Sequence, residues 1–212
     1  MFPAHAYTRE WLLPQARRIL AQVSRLDALA HAQHGQLTLG YAWAALGRYT
    51  LAAAKVHADD TPVPVLEPGL GRTKTGRLWV YVRDDRPAGA TEPPAAWYQY
   101  TPDRKGEHPQ RHLRHYRGVL QADAYGGWGK LYDTGRITEA ACWAHARRPW
   151  WDLYLSTGKA EDSIAAQALR RIAALYALEK DIRGQPPDIR RGQRQARAGP
   201  LLDEMYAWLS SL

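Results

Sequence analysis

Three aspartates stand where apolar, strand-like segments end. Asp59 and Asp60 follow Val56 in the segment HADDT, and Asp123 follows the apolar segment GVLQA and precedes a Gly-Gly pair. A carboxylate at the point where a strand leaves the core is costly unless it is solvated, paired or bound to a metal. Two interpretations therefore stay open at this stage. The aspartates either make ordinary turns and caps, or they form a site.

The chemistry open to such a site is metal-dependent phosphoryl transfer. Strand ends of an open mixed sheet are where ligands bind, and carboxylates from two adjacent strand ends can converge on one hard cation. Mg²⁺ is bound through oxygen, commonly by one or two carboxylates plus waters. Two such ions about 3.5–4 Å apart can activate a nucleophile and stabilise the leaving oxygen of a phosphodiester.

A mixed sheet is predicted to position these aspartates, in residues 55–155. The segment GRLWVYVRDD alternates Leu78, Val80 and Val82 with Trp79 and Tyr81, which is the period of a strand. KVHADDTPVPVL indicates a strand that runs into a proline-broken segment, and EPGLGRTKTG a hairpin loop. The further segments PPAAWYQYTPDR, GVLQADAY and ITEAAC complete five strands, with HPQRHLRHYR as a short helix between them. We therefore predict an α/β fold with a mixed sheet.

Helices are predicted on both sides of this region. Residues 1–54 contain an apolar face of helical spacing that begins after Thr8 and a second, Ala-rich stretch, LTLGYAWAALGRYTLAAAKV. Residues 156–212 contain the amphipathic segment SIAAQALRRIAALYALEKDI, a basic connector punctuated by Pro and Gly, and a last helix from Pro200.

The charge and the composition of the chain limit its possible binding partners and its cellular location. The chain has 29 Lys and Arg against 21 Asp and Glu, a net charge of +8, which favours a polyanion such as nucleic acid or an anionic membrane surface. The single cysteine excludes an internal disulfide framework. No apolar run is long enough to span a membrane, and the N-terminus lacks the layout of a signal peptide. We therefore expect a cytoplasmic protein.

Several blocks together carry a family resemblance. HADDTPVPVLEPGLGRTKTGRLWVYVRDDRP, YTPDRKGEHPQ, GVLQADAYGGW and ITEAACWAHARRPWWDL, in this order, resemble the transposases of insertion sequence family sixty-six. The resemblance covers Lys55 to about Leu212. It implies a ribonuclease-H-like catalytic core of the DDE type in residues 55–155, followed by a helical region in 156–212. The origin of the helical segment 1–54 stays open.

The resemblance also assigns residues. Asp59 falls on the family's first aspartate and Asp123 on its second, which makes both catalytic and metal-binding, and Asp60 is an additional acid beside the metal. The implied cofactor is Mg²⁺ or Mn²⁺. The implied activity is cleavage and joining of double-stranded DNA at element ends and target, and a homo-oligomer is compatible with it.

The chain departs from the family at the third acid. That acid is a Glu in a block of the form Asn-Asn-x-x-Glu-Arg, and this sequence contains no Asn. Glu179 and Glu204 lie in amphipathic helices, where solvated faces are the expected role. We therefore expect an incomplete copy of a DDE transposase. The alternative is a non-catalytic, DNA-binding remnant.

Basic residues supply the candidate DNA contacts. Lys and Arg side chains that neutralise phosphates provide most non-specific affinity for DNA. The candidates lie in the hairpin loop, after the third strand and after the fifth: Arg72, Lys74, Arg77, Arg104, Lys105, His145, Arg147 and Arg148. A solvated surface is the alternative interpretation. The histidines between His108 and His115 would gain charge below about pH 6.5, which would strengthen DNA binding on acidification.

Cys142 and His145 make half of a zinc site. A zinc site needs four ligands, and no second pair has suitable spacing. We therefore expect Cys142 to be a buried strand residue.

Overall fold

The computed structural model describes residues 35–67, 69 and 71–212. The predicted helix after Thr8 lies outside these residues. The described part falls into two compact units. The first contains the described residues up to Arg83 with Ala95–Gln121 and Tyr125–Glu139, and the second contains Asp84–Pro94, Ala122–Ala124 and Ala140–Leu212.

A five-stranded mixed sheet organises the fold. The strands are β1 (Lys55–Leu66), β2 (Thr73–Arg83), β3 (Ala95–Thr101), β4 (Gly118–Ala122) and β5 (Ile137–Ala141). Their order in the sheet is β3-β2-β1-β4-β5. The pairs β1/β2 and β2/β3 are antiparallel, whereas β1 and β4 run parallel. The predicted mixed α/β fold is confirmed.

The strand β1 is longer than expected, since it continues through Pro62 and Pro64. Its pairing with β4 covers only Lys55–His57, whereas its pairing with β2 continues to Leu66. The two prolines are two residues apart, so their nitrogens lie on the same side of the strand. Proline is tolerated in a strand where the missing N–H would not join a ladder. The prediction of a proline-broken segment was therefore wrong.

Helix α1 (Gly35–Leu51) packs on β2 and β3. Gly47 lies so close to the indole ring of Trp97 that a Cβ there would be 2.9 Å from it. Arg83 closes the end of the helix, because its guanidinium donates to the carbonyl oxygen of Tyr49 at 3.1 Å and stacks on that tyrosine ring. A cation at this end also complements the helix dipole.

Aromatic side chains form the core on one face of the sheet. Trp79 is fully buried, donates its indole N–H to Thr101 at 2.7 Å and meets Trp128 edge to face at 5.4 Å. Helix α2 (Glu107–His112) adds His112, whose Nδ1 lies 2.8 Å from the hydroxyl of Tyr81. The one-turn helix α3 (Gly129–Tyr132) follows β4.

The second unit is helical. It contains α4 (Trp143–Ser156), α5 (Ile164–Asp181), α6 (Pro187–Gln193), a π-helical turn (Arg194–Ala198) and α7 (Gly199–Ser210). Ser163 caps α5 by accepting the N–H of Ala166 at 3.1 Å. Ile164 at the first position of α5 is exposed, whereas apolar side chains at helical spacing along α5, together with Ile182 directly after it, are buried: Ala168, Ile172, Leu175, Leu178 and Ile182.

The basic connector is helical over residues 187–199, against the prediction. Arg194 binds Glu179 through two N–O contacts of 2.6 and 2.8 Å, and Arg197 binds Asp181 at 3.0 Å. Helix propensity is a weak prior that tertiary contacts override. These ion pairs with α5 offset the cost of Gly192 and Gly199 in the helical segment.

Candidate metal centre and its surroundings

Asp59 lies in β1 just past the buried part of that strand. Val56, His57 and Ala58 before it are buried, and Asp59 itself is half-buried. Its Oδ1 accepts the backbone N–H of Asp60 at 2.8 Å. That hydrogen bond fixes one oxygen of the Asp59 carboxylate. It also gives a partner to the N–H of Asp60, which lies beyond the residues of β1 that pair with β4.

Asp123 directly follows β4 and is half-buried. The parallel pairing of β1 and β4 ends with His57 opposite Gln121. Asp59 is two residues beyond His57, and Asp123 is two residues beyond Gln121. Because side chains alternate between the faces of a sheet with a period of two, Asp59 falls on the same face as His57.

Asp60 falls on the opposite face, and its carboxylate is held by two guanidinium groups. Arg77 donates to Oδ2 at 2.9 Å. Arg104 donates through Nε and Nη2 to Oδ1 at 2.9 and 2.8 Å. The side chain of Asp60 is 1% exposed, whereas those of Arg77 and Arg104 are 23% and 36% exposed. A carboxylate enclosed in this way is a structural anchor, and its predicted role beside the metal stays a prediction.

Arg104 also contacts the loop that follows β4. Its guanidinium lies 4.1 Å above the ring centroid of Tyr125. The hydroxyl of Tyr125 in turn donates to the backbone carbonyl oxygen of Arg104. Tyr125 packs against Trp79 and Trp128, with both centroid distances 6.3 Å. Arg104 therefore connects an acid of β1 with a residue two positions after Asp123.

The predicted DNA-contacting residues of the first unit divide into two groups. Arg77 and Arg104 are both bound to Asp60, whose carboxylate holds the two guanidinium groups and neutralises one of their two positive charges. Arg72, Lys74 and Lys105 are exposed. Lys74 lies 3.5 Å from Glu67 and Lys105 lies 3.4 Å from Asp103, and both are loose, solvent-screened pairs. Of the predicted DNA-contacting residues in this unit, these three exposed side chains are the ones that a polyanion can reach.

The predicted residues of the second unit lie on α4. Arg148 is exposed, and Arg147 is half-buried with its guanidinium 5.0 Å from the ring centroid of Trp151. His145 is half-buried one turn after Cys142. Cys142 is the N-cap of α4 and half-buried, so the expected buried strand cysteine was wrong. Burial raises the pKa of this thiol, but hydrogen bonding with His145 outweighs it, and the net shift of the pKa is downward.

The histidine run does not behave as one group. Burial, with help from Arg111 and His108, lowers the pKa of His112 from 6.5 to about 4. This ring therefore stays neutral at the mildly acid pH where the sequence predicted it to gain charge. The ring of His108 is buried and contacts Asp103 at 2.7 Å.

Comparison with known proteins gives the family. The profile described as "Transposase IS66 family" matches residues 17–212. The chain belongs to this transposase family. The match begins 38 residues before the first residue of the resembling region, Lys55, so it includes most of the N-terminal segment whose origin the sequence left open.

Uncharacterized relatives of this chain occur in Sinorhizobium fredii (strain NBRC 101917 / NGR234). Protein y4hP is 39% identical over 192 residues, which are 81% of this chain and 34% of the relative. Protein y4qI is 36% identical over 181 residues, 79% of this chain and 33% of the relative. The chain thus spans about a third of the length of these curated relatives. No solved structure matches it.

The two strand-end aspartates have the ligand chemistry that a hard cation requires. Both supply carboxylate oxygens, and one or two carboxylates are what Mg²⁺ usually takes from a protein. Among residues 35–67, 69 and 71–212, no group of three or more His, Cys, Asp or Glu side chains is arranged to hold a metal ion.

None of the helices in these ranges is long and apolar enough to cross a membrane.

Two features of the site were missed by the sequence reasoning. Tyr125 was passed over, although it stands two residues after Asp123 and an aromatic residue there is a signal for a packed loop. The pairing of Asp60 with Arg104 joins residues 44 positions apart. No local pattern in the sequence indicates it.

Proposed function

We propose that this transposase chain carries two of the metal-binding carboxylates of a DDE-type active site in a ribonuclease-H-like core. Asp59 and Asp123 would hold Mg²⁺ or Mn²⁺, and the reaction would be cleavage and joining of DNA strands at element ends. The register of β1 and β4 is the observation that carries the proposal, because it gives both aspartates the same offset beyond paired residues.

The sheet supports the fold part of the proposal. Three antiparallel strands are followed by a fourth that pairs parallel to the first, in the order β3-β2-β1-β4-β5. This places the central pair β1/β4 where a crossover brings two strand ends to one edge. The same arrangement is expected of a ribonuclease-H-like core.

The proposed chemistry is phosphoryl transfer. Water attacks a phosphorus atom of the DNA backbone, the bond to the 3′ oxygen breaks, and a 3′-hydroxyl and a 5′-phosphate result. In the joining step that 3′-hydroxyl attacks a target phosphodiester and displaces another 3′ oxygen. Bound divalent ions would activate the nucleophile and stabilise the leaving oxygen. Asp59 and Asp123 would hold these ions beside the reacting phosphate, because positioning and electrostatic stabilisation are the main contribution of a protein to such reactions.

The DNA partner is proposed to contact the exposed cations of the first unit. Among the residues that the structure describes, Arg72, Lys74 and Lys105 lack an ion pair as close as that of Arg77. Each phosphate contact that is removed should lower the salt dependence of binding by about one unit of slope. Arg72→Gln should therefore reduce the slope, with Arg86→Gln as the matched control, since Arg86 is bound to Asp84 at 2.7 Å. Equal slopes for both variants would remove Arg72 from the interface.

The experiment that tests the metal site is Mn²⁺ binding by the 212-residue chain, measured by electron paramagnetic resonance of free Mn²⁺. Asp59→Asn and Asp123→Asn should each weaken binding by about 10-fold or more, because each removes a ligand. Asp188→Asn is the control, since it removes an exposed carboxylate from α6. Equal affinities in all four proteins would overturn the proposal.

Cleavage of end-labelled DNA with the terminal repeats of the element separates catalysis from binding. The third family acid is not among these 212 residues, because the sequence has no Asn for its block. Mn²⁺-dependent cleavage that Asp59→Asn abolishes would support a complete site in the assembled protein. DNA binding without cleavage, and without Asp59-dependent Mn²⁺ binding, would favour the non-catalytic DNA-binding alternative.

A further inference from the structure

The loop after β3 and the loop after β4 are in close contact within the first unit. Gly106 approaches Gly127 so closely that a Cβ on Gly106 would lie 2.9 Å from the Cα of Gly127. Neither backbone could move aside without shifting its own loop. The two glycines therefore let the backbones of the two loops come close together. Any larger residue at Gly106 would force the loops apart.

Arg104 is the side chain that joins these loops to the sheet. One side of its guanidinium carries the fork of hydrogen bonds to Asp60, and its plane lies over the ring of Tyr125. A planar guanidinium can make a two-pronged carboxylate contact and an aromatic stack at once, whereas an ammonium cannot. The hydroxyl of Tyr125 returns a hydrogen bond to the backbone of Arg104.

We propose that Arg104 is a positioning residue for the metal site: fixed by Asp60 and stacked on Tyr125, it holds Tyr125 and the turn that follows it, two residues beyond Asp123 in the chain. This inference rests on the proposed function, since it takes Asp123 as a ligand. It also gives the adjacent acids of β1 separate tasks. Asp59 would bind the metal, and Asp60 would orient the arginine that fixes the other ligand.

Arg77 provides a matched control on the same carboxylate. It contributes one hydrogen bond to Asp60 at 2.9 Å and is anchored in β2. Arg77→Gln and Arg104→Gln each remove one guanidinium from Asp60. Only the second also removes the stack on Tyr125. If Arg104 acts merely as a counter-charge for Asp60, the two variants should behave alike.

The first test is hydrogen–deuterium exchange of the metal-free chain over residues 122–128. We expect Arg104→Gln to speed exchange in this segment, with Arg77→Gln close to wild type there. Arg104→Lys should resemble Arg104→Gln, because charge alone does not restore the fork and the stack. Equal protection of the segment in Arg104→Gln and Arg77→Gln would overturn the proposal, whatever the metal does.

The second test is Mn²⁺ affinity of the same variants. Loss of a residue that orients a ligand typically costs about 10- to 100-fold in affinity, so we expect this for Arg104→Gln and a change under about threefold for Arg77→Gln. Thermal unfolding identifies any variant that fails to fold. In that case Tyr125→Leu, which removes the stack and keeps Arg104 on Asp60, is the second variant, and unchanged Mn²⁺ affinity in it would refute the positioning role.

The two proposals fail in different ways. If the Mn²⁺ affinity of Asp59→Asn equals that of wild type, the metal site is wrong, and exchange alone reports on the loop. If Asp59→Asn loses Mn²⁺ and Arg104→Gln does not, the metal site stands and the positioning role is wrong.

Discussion

Replacing Asp60 by Asn should destabilise the first unit even without metal. The change keeps the shape of the side chain but removes a charge that faces two guanidinium groups. The new amide NH2 would also point a donor at donors of Arg77 or Arg104. A hydrogen bond to a charged group contributes about 1.5–3 kcal/mol, and the strongest contacts here are one from Arg77 and two from Arg104.

The exposure of the partners reduces this figure. Arg77 and Arg104 are 23% and 36% exposed, so both regain part of their hydration when the carboxylate is lost. Breaking a fully buried pair costs about 3–5 kcal/mol, whereas an exposed pair is worth about 1 kcal/mol or less. We therefore expect Asp60→Asn to lower the free energy of unfolding of the first unit by about 2–4 kcal/mol.

Hydrogen exchange of β1 and β2 peptides in a urea series, with EDTA present, measures this change in the unit that carries Asp60. Exposed Asp188→Asn is the control for the loss of one negative charge. If Asp60 were mainly a metal ligand, its removal would relieve repulsion with Asp59 in metal-free buffer, and stability would stay equal or rise. A loss below about 0.5 kcal/mol, the range of ordinary surface substitutions, would refute the anchor role.

Three further predictions concern the pairing of β4, the loss of stability at acid pH and the ion pair of α5. Gly118→Ala should destabilise the chain by more than about 2 kcal/mol, because Gly118 has φ 142° and a Cβ there would overlap the carbonyl oxygen of Ala54; urea unfolding close to wild type would contradict this. Burial lowers the pKa of His112 to about 4, so the unfolded chain is protonated first as pH falls. The stability that neutral His112 contributes is present above about pH 6.5 and is lost toward pH 4. It amounts to no more than about 2 kcal/mol after discounting for partial exposure. His112→Gln should flatten this part of the pH–stability profile, and an unchanged slope would show the opposite. Glu179→Gln should lower the stability of the second unit by about 1 kcal/mol by freeing Arg194, with Mn²⁺ affinity unchanged; lost affinity would instead make Glu179 a ligand.

The sheet was predictable because its strands carry local signals. The alternation of Leu78, Val80 and Val82 with Trp79 and Tyr81 defines β2 without any tertiary information. The extension of β1 was not predictable in this way. Whether a strand tolerates Pro62 depends on which of its sides is paired, and this is set by where β4 ends.

The helical structure of the connector in the second unit was not predicted, for a related reason. Gly192, Gly199 and the surrounding arginines suggest a break when only propensity is considered. The structure has a continuous run of helical residues there, supported by Arg194 on Glu179 and by Arg197 on Asp181. Those acids belong to α5, more than a dozen residues earlier in the chain, so a local window cannot weigh them.

The sequence indicates the candidate acids, but it does not indicate the different surroundings of Asp59 and Asp60. Two neighbouring aspartates at the end of one strand look equivalent in the sequence. In a strand they cannot be equivalent, because consecutive side chains point to opposite faces. Asp60 shares a face with Trp79 and its aromatic neighbours, where a charge requires partners, and Arg77 and Arg104 supply them. Asp59 shares a face with His57, whose partner Gln121 precedes Asp123 by two residues.

Because of this alternation, the register of β1 determines on which face of the sheet Asp59 and Asp60 each lie. A slip of one residue would exchange the faces of Asp59 and Asp60 and separate Asp60 from Arg77 and Arg104. The ion pairs of Asp60 therefore stabilise more than one side chain, since they favour the one register in which Asp59 falls on the face of His57 and Gln121. In this view Asp60 contributes to the proposed chemistry without touching a metal, by making the alternative register of its own strand too costly to populate.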